Sequence, residues 1–184
     1  RRLSDLFEIH SVPGGGTALL ANLWSARALG PTPHRPLEIG GLCVPHAGEE
    51  VCGDAWDAHQ DPTRSRVLLA DGLGHGPGAA EAVREAIRVF REHPAASPAA
   101  LIELMHRALH GSRGAAAGVI EFEPARQAVR FAGVGNTTAV ILSEARARHL
   151  VSHNGIVGHS LRKIEEFTYA WPPGALLIAH SDGL

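Results

Sequence analysis

The residues of this chain best suited to chemistry are three aspartates, each beside a glycine. Asp71 opens the run Asp71-Gly72-Leu73-Gly74-His75-Gly76, Asp54 follows Gly53, and Asp182 precedes Gly183. Asp71 also closes the apolar stretch Val67-Leu68-Leu69-Ala70, which reads as a buried strand. A carboxylate at such a strand end is costly unless it is hydrated, paired or bound to a cation. Asp-Gly is a common hairpin turn as well, but here Gly74, Gly76 and Gly78 lead toward a helix and not into a partner strand. If the three strand ends share one edge of the sheets, their oxygens form a hard donor set, suited to magnesium or manganese more than to zinc.

Two other chemistries compete for the same residues. Gly74-x-Gly76-x-x-Ala79 matches a loose dinucleotide-binding fingerprint, yet a second helix follows where a parallel strand should stand, and no acidic residue closes such a strand. His180-Ser181-Asp182 invites a hydrolase triad. Neighbours on a strand point to opposite faces, however, and the chain has no Gly-x-Ser-x-Gly elbow. The 12 histidines are scattered, with no His-Glu-x-x-His and no Cys/His quartet, and Cys43 and Cys52 form no C-x-x-C pair. His75, inside the glycine run, is the histidine singled out as a candidate at the site.

The elements that must hold these residues follow from pattern. A hairpin is expected from Leu6–Val12, the turn Pro13-Gly14-Gly15-Gly16 and Thr17–Leu23. Residues 25–36, with Gly30, Pro31, Pro33 and Pro36, read as a linker. Beyond it the reading gives strands over Leu37–Val44, around Trp56, and over Val67–Ala70. A helix over Ala79–Arg91, with Pro77 in its first turn, carries Ala80, Val83, Ile87 and Phe90 at helical spacing. A second helix follows the N-cap Ser97 with Pro98 at its first position. Strands then follow over Ala116–Phe122, Ala128–Val134, Thr138–Leu142, His149–Val151, Ile164–Trp171 and Ala175–His180. Two adjacent helices followed by a β-rich half do not make the alternation of a doubly wound parallel sheet. The expected fold is α+β, layered on antiparallel sheets.

The bulk numbers are compatible with this. The 184 residues suffice for one domain with a hydrophobic core, 45% apolar and 20% charged residues are ordinary for a globular chain, and no apolar run approaches the roughly 20 residues of a membrane helix. The formal charge of -2 gives no electrostatic reason to expect nucleic acid as a partner. The cysteine usage and the absence of a signal segment point to a reducing cytoplasm. The chain begins with Arg1 and stops at Leu184, one residue past an Asp-Gly pair, and is read as a fragment.

Several motifs, taken in order from about Leu37, resemble the SpoIIE-type branch of the metal-dependent, protein phosphatase 2C-like serine/threonine phosphatases. They are Gly53-Asp54-Ala55-Trp56, Leu69-Ala70-Asp71-Gly72-Leu73-Gly74-His75-Gly76, Arg113-Gly114-Ala115-Ala116, Gly133-Val134-Gly135-Asn136, Asn154-Gly155-Ile156-Val157-Gly158 and His180-Ser181-Asp182-Gly183. The resemblance implies a β-sandwich flanked by helices (αββα layers) over residues 37–184, with two manganese or magnesium ions at one edge. It implies that Asp71 bridges both ions, that Gly72 offers its backbone carbonyl, and that Asp54 and Asp182 complete the shell. A water between the metals then serves as nucleophile, and no side chain forms a covalent intermediate. The family has a further metal-binding Asp in an Asp-Asp motif, which this chain does not reach, so the site of this stretch is expected to be incomplete. No arginine is assigned to the substrate phosphate.

Residues 1–24 resemble the closing end of a GHKL-type ATP-binding domain, as in anti-sigma factor serine kinases, without its ATP-binding boxes; ATP binding is not expected. The two resemblances together imply phosphoserine or phosphothreonine on an anti-anti-sigma (STAS) regulator as substrate, in bacterial partner switching. The competing expectation is a non-catalytic regulatory module that binds a sigma-factor regulator through the same surface.

Overall fold

The computed structural model describes residues 6–12 and 16–22 in their backbone, and residues 37–182 apart from 145 and 162. The linker expected over 25–36 lies outside the described residues. The chain divides into two units, Arg1–Arg35 and Pro36–Leu184. In the first, β1 (Leu6–Val12) pairs antiparallel with β2 (Gly16–Asn22), in register from Leu6 opposite Asn22 to Val12 opposite Gly16.

The second unit is α+β, as the pattern predicts. Its larger sheet has the order β12 (Phe167–Ala170), β6 (Ala128–Val134), β5 (Ala115–Glu123), β4 (Ser65–Gly72), β3 (Asp54–Gln60), and the two-residue β9 (Ser152–His153) runs parallel to the end of β6. A smaller antiparallel sheet has the order β13 (Leu176–His180), β7 (Thr138–Leu142), β8 (Ala147–Leu150). Alternation along the strands sorts side chains into two cores. Leu68, Ala70, Ala117, Val119, Ala132 and Val134 face the helices α1 (Pro77–Glu92) and α2 (Pro98–Ala108). Ile120, Phe122, Val129 and Phe131 face the smaller sheet, meeting Ala139, Ile141 and Leu150. Helices, large sheet and small sheet thus make three of the four expected layers; among the described residues no helix covers the outer face of the small sheet, where Leu176 and Ile178 are exposed. No helix of the described residues is long and apolar enough to cross a membrane.

Both helices form for the reasons visible in sequence. In α2, Pro98 occupies the first turn and the Ser97 side chain accepts a hydrogen bond from Ala100 N at 3.3 Å. In α1, Ala79, Ala80, Val83, Ala86 and Phe90 are buried along one face. Beneath the connection between them lies a charged group. Arg66, fully buried on β4, donates through Nη1 to the carbonyls of His93 (3.3 Å) and Ala96 (3.2 Å), so that a guanidinium ties the α1–α2 turn to the sheet. Its carboxylate neighbour is the equally buried Glu121 on β5.

The strand expected over Leu37–Val44 does not form. Gly41 lets the backbone lie against the Trp56 indole, where a side chain would collide with the ring. The segment therefore packs on a face and does not pair with an edge, and Leu42 and Val44 remain in solvent. Leu37, Ile39 and Leu42 close one side of an apolar cleft of about 450 Å³ against Trp56, Trp171 and β13.

Candidate metal centre

The three aspartates come together at one edge of the larger sheet. β3 and β4 pair so that Asp54 stands directly opposite Asp71, and the pairing ends with Gly72 N donating to Gly53 O at 3.0 Å. Gly72 is required here: a Cβ would lie 2.8 Å from the carbonyl carbon of Ala79 and collide with its oxygen, so the absence of a side chain lets α1 start directly behind Asp71. Gly72→Ala is expected to force α1 off the sheet at a cost of about 2–3 kcal/mol, read as a lower denaturation midpoint; an unchanged midpoint would show that the helix start is not fixed by this approach.

Asp182 follows β13, and Asn136 ties it to the pair. The turn after β6 passes through Gly135 at φ 87°, where a Cβ would meet Ala116. It delivers the Asn136 amide, which donates to Asp71 Oδ2 at 3.2 Å and to Asp182 Oδ2 at 2.8 Å. On the other side, Ser181 Oγ donates to Asp54 Oδ2 at 2.8 Å. Asp54, Asp71, Asn136, Asp182 and Ser181 therefore close a loop drawn from β3, β4, the end of β6 and the end of β13. Burial first, then the charge of Asp54, a hydrogen bond shared with its carboxyl and the charge of Asp182, push the Asp71 carboxyl up to about 6 from an ordinary 3.8, against the opposing hydrogen bond from Asn136. Among the described residues no three His, Cys, Asp or Glu side chains make a ready-made metal cage. The aspartates converge, with the Asn136 amide between Asp71 and Asp182 and the Ser181 hydroxyl on Asp54.

The glycine run forms the rim. His75 is exposed; its Nδ1 lies 2.5 Å from Glu49 Oε1, and its ring stacks on His46 with centroids 5.4 Å apart. His75 thus holds the 46–49 loop and is not part of the hydrogen-bonded loop of aspartates. Ser181 bonds Asp54 and His180 Nδ1 meets the Ser181 carbonyl, so His180-Ser181-Asp182 is no relay, as the strand geometry predicts. None of the three aspartates lines the apolar cleft.

Two residues beside the aspartates have contacts that sequence reasoning did not predict. Asn136 was visible only as the end of Gly133-Val134-Gly135-Asn136, and its bridging of two carboxylates depends on strand order. Arg113, on the loop before β5, donates from Nη1 to His75 O at 3.2 Å and lies over Gly74 and Gly78.

This three-layered α+β fold is shared with solved PP2C-type phosphatase structures. A structure from the bacterial stressosome, a modular system adapted to control secondary messenger signaling, is 29% identical over 77% of this chain and 74% of its own, with a TM-score of 0.73. RsbX in complex with magnesium is 23% identical over 78% of this chain and 72% of its own, TM-score 0.73. The PP2C phosphatase domain of the cell fate determinant SpoIIE from Bacillus subtilis, solved with a fragment of its regulatory domain, is 18% identical over 77% of this chain and 44% of its own, TM-score 0.68. No curated protein sequence matches the chain. The family model of stage II sporulation protein E (SpoIIE) matches residues 61–184, which include Asp71 and Asp182. The chain belongs to the SpoIIE family of PP2C-like phosphatases.

Proposed function

We propose that this chain carries the centre of a metal-dependent phosphatase acting on phosphoserine or phosphothreonine in proteins, with Asp54, Asp71 and Asp182 as carboxylate ligands and the Gly72 carbonyl beside them. The observation that carries the reading is the convergence of three carboxylates at one sheet edge, with Asp54 opposite Asp71, Asn136 bridging Asp71 to Asp182, and Ser181 bonded to Asp54. Every donor is a hard oxygen, which suits manganese or magnesium; a pair of such ions is what the resemblance to the family implies.

The chain's own residues supply position and charge. Register fixes Asp54 and Asp71 face to face. Asn136 and Ser181 orient the outer oxygens, as hydrogen-bonded partners of metal-binding carboxylates do. The start of α1 behind Gly72 and the 46–49 loop over His75 form the walls. Divalent ions bound there would polarise the phosphate and lower the pKa of a water so that it attacks in line, with no covalent enzyme intermediate.

The substrate we infer is a phosphorylated STAS-type regulator in a cytoplasmic partner-switching pathway. Support comes from the family and from the similar RsbU and RsbW domains of Rv1364c from Mycobacterium tuberculosis, 19% identical with a TM-score of 0.64. The test is phosphate release from such a phosphoprotein by the protein, with manganese, with magnesium and with chelator. Release that persists undiminished in chelator would exclude the reading.

A further inference from the structure

The exposed cation at the rim of the carboxylate edge has a use that the aspartates cannot supply. We propose that Arg113 is the substrate-contact residue that grips the phosphate of the phosphoserine or phosphothreonine, an assignment that rests on the phosphatase reading above.

Its position is fixed by the backbone. Gly114, at φ 76°, makes the turn into β5, and its O accepts from Leu73 N at 3.0 Å. The next residues, Ala115 and Ala116, stand opposite Gly72 and Asp71. Arg113 is therefore carried on the strand end adjacent to the Asp71 strand end, at the same sheet edge. Its guanidinium spreads over the glycine run: a Cβ at Gly74 would lie 3.3 Å from Nη1, and one at Gly78 would lie 2.6 Å from Nε. Those glycines keep the surface under the fork bare.

Charge pairing separates Arg113 from six other arginines of the fold, and its place over Gly74 and Gly78 separates it from Arg84, Arg107, Arg146 and Arg148, which likewise form no ion pair among the described residues. Arg64, Arg66, Arg88, Arg91, Arg126 and Arg130 all have carboxylate partners. Arg113 is exposed and, among the described residues, donates only to the carbonyl of His75, so it forms no ion pair. A guanidinium carries five N–H donors in a planar fork, and most of these stay available for a phosphate dianion. A substrate phosphate approaching an edge of three aspartates meets repulsion, which divalent ions held by Asp54, Asp71 and Asp182 would offset. A fixed cation beside them holds the remaining phosphate oxygen and sets its orientation.

The experiment compares wild type, Arg113→Gln and Arg113→Lys in the full-length protein, using a phosphoserine peptide as substrate and inorganic phosphate as competitive product. In Arg113→Gln the KM and the inhibition constant of phosphate are expected to rise together by about tenfold to a hundredfold, the worth of a charged hydrogen bond. Melting temperature and manganese affinity are expected to stay unchanged, and Arg113→Lys to recover part of the loss. Unchanged KM and phosphate inhibition in an active enzyme would overturn the assignment alone. A fall in melting temperature or manganese affinity that accounts for the lost activity would make Arg113 a clip for the glycine run and overturn it too. Absence of metal-dependent phosphate release in wild type would overturn the phosphatase reading itself, and this assignment with it.

Discussion

Asp71→Asn is expected to abolish metal-dependent phosphate release and, in the same protein, to raise the melting temperature measured without metal. The first effect follows from removing the carboxylate at the centre of the loop, and a loss on the order of a thousandfold or more corresponds to the several kcal/mol that metal ions supply to a phosphoryl transition state. The second follows from linkage. Asp71 titrates at about 6 in the folded metal-free protein against 3.8 ordinarily, so the folded state binds the proton more tightly than the unfolded state. Stability therefore falls as pH rises from about 4 to about 6, and above that the full cost of the ionised carboxylate is present. With allowance for its partial exposure the cost is about 1–2 kcal/mol at neutral pH, which the uncharged amide removes. Added manganese reverses the order of melting temperatures, because wild type gains stability by binding and the variant does not. A metal-free variant less stable than wild type would contradict the electrostatic account, even if activity were lost.

The largest expected loss of stability lies at the other end of the helical layer. Glu121 is buried, accepts from Arg130 Nη1 at 2.7 Å, and faces Arg64 at 3.6 Å and Arg66 at 4.0 Å. Burial and the nearby charge of Arg64 pull Arg66 below the usual guanidinium value, while Glu121 acts to hold it charged. Arg66 Nε and Nη2 and Glu121 Oε2 have no hydrogen-bond partner, so Coulombic attraction compensates their desolvation. Glu121→Ala leaves the buried Arg66 uncompensated beside Arg64 and is expected to cost about 3–5 kcal/mol, a large part of the roughly 5–15 kcal/mol of an ordinary domain. Urea denaturation measures it. Arg66→Met combined with Glu121→Leu is expected to recover most of the loss, since an apolar pair needs no compensation. A single-variant loss below 1 kcal/mol would show that Glu121 does not compensate Arg66.

Much of this architecture was legible in the sequence because local rules and tertiary packing agree. The α1 stripe of Ala80, Val83 and Phe90 faces the core, Ser97-Pro98 starts α2, and the strand boundaries at Ala128–Val134 and Thr138–Leu142 match the apolar pattern. Leu37–Val44 has the same apolar pattern but forms no strand, and its Gly41 packs against Trp56. Alternation cannot distinguish those two fates. The aspartates were visible through their glycines, since Gly72 and Gly135 mark close backbone approaches that only the absence of a side chain permits. What ties them together was not. The reach of Asn136 across to Asp182, of Ser181 to Asp54, and of Arg113 over Gly74 depends on strand order and register between segments far apart in sequence.

The most direct test of the central claim is an equilibrium titration of the full-length protein with manganese, followed by calorimetry and by the electron paramagnetic resonance of free manganese. Saturable binding in wild type, lost in Asp71→Asn and weakened in Asp182→Asn, is the result predicted for a centre built on these carboxylates. Binding that is unmeasurable in wild type, or that survives Asp71→Asn undiminished, would contradict it.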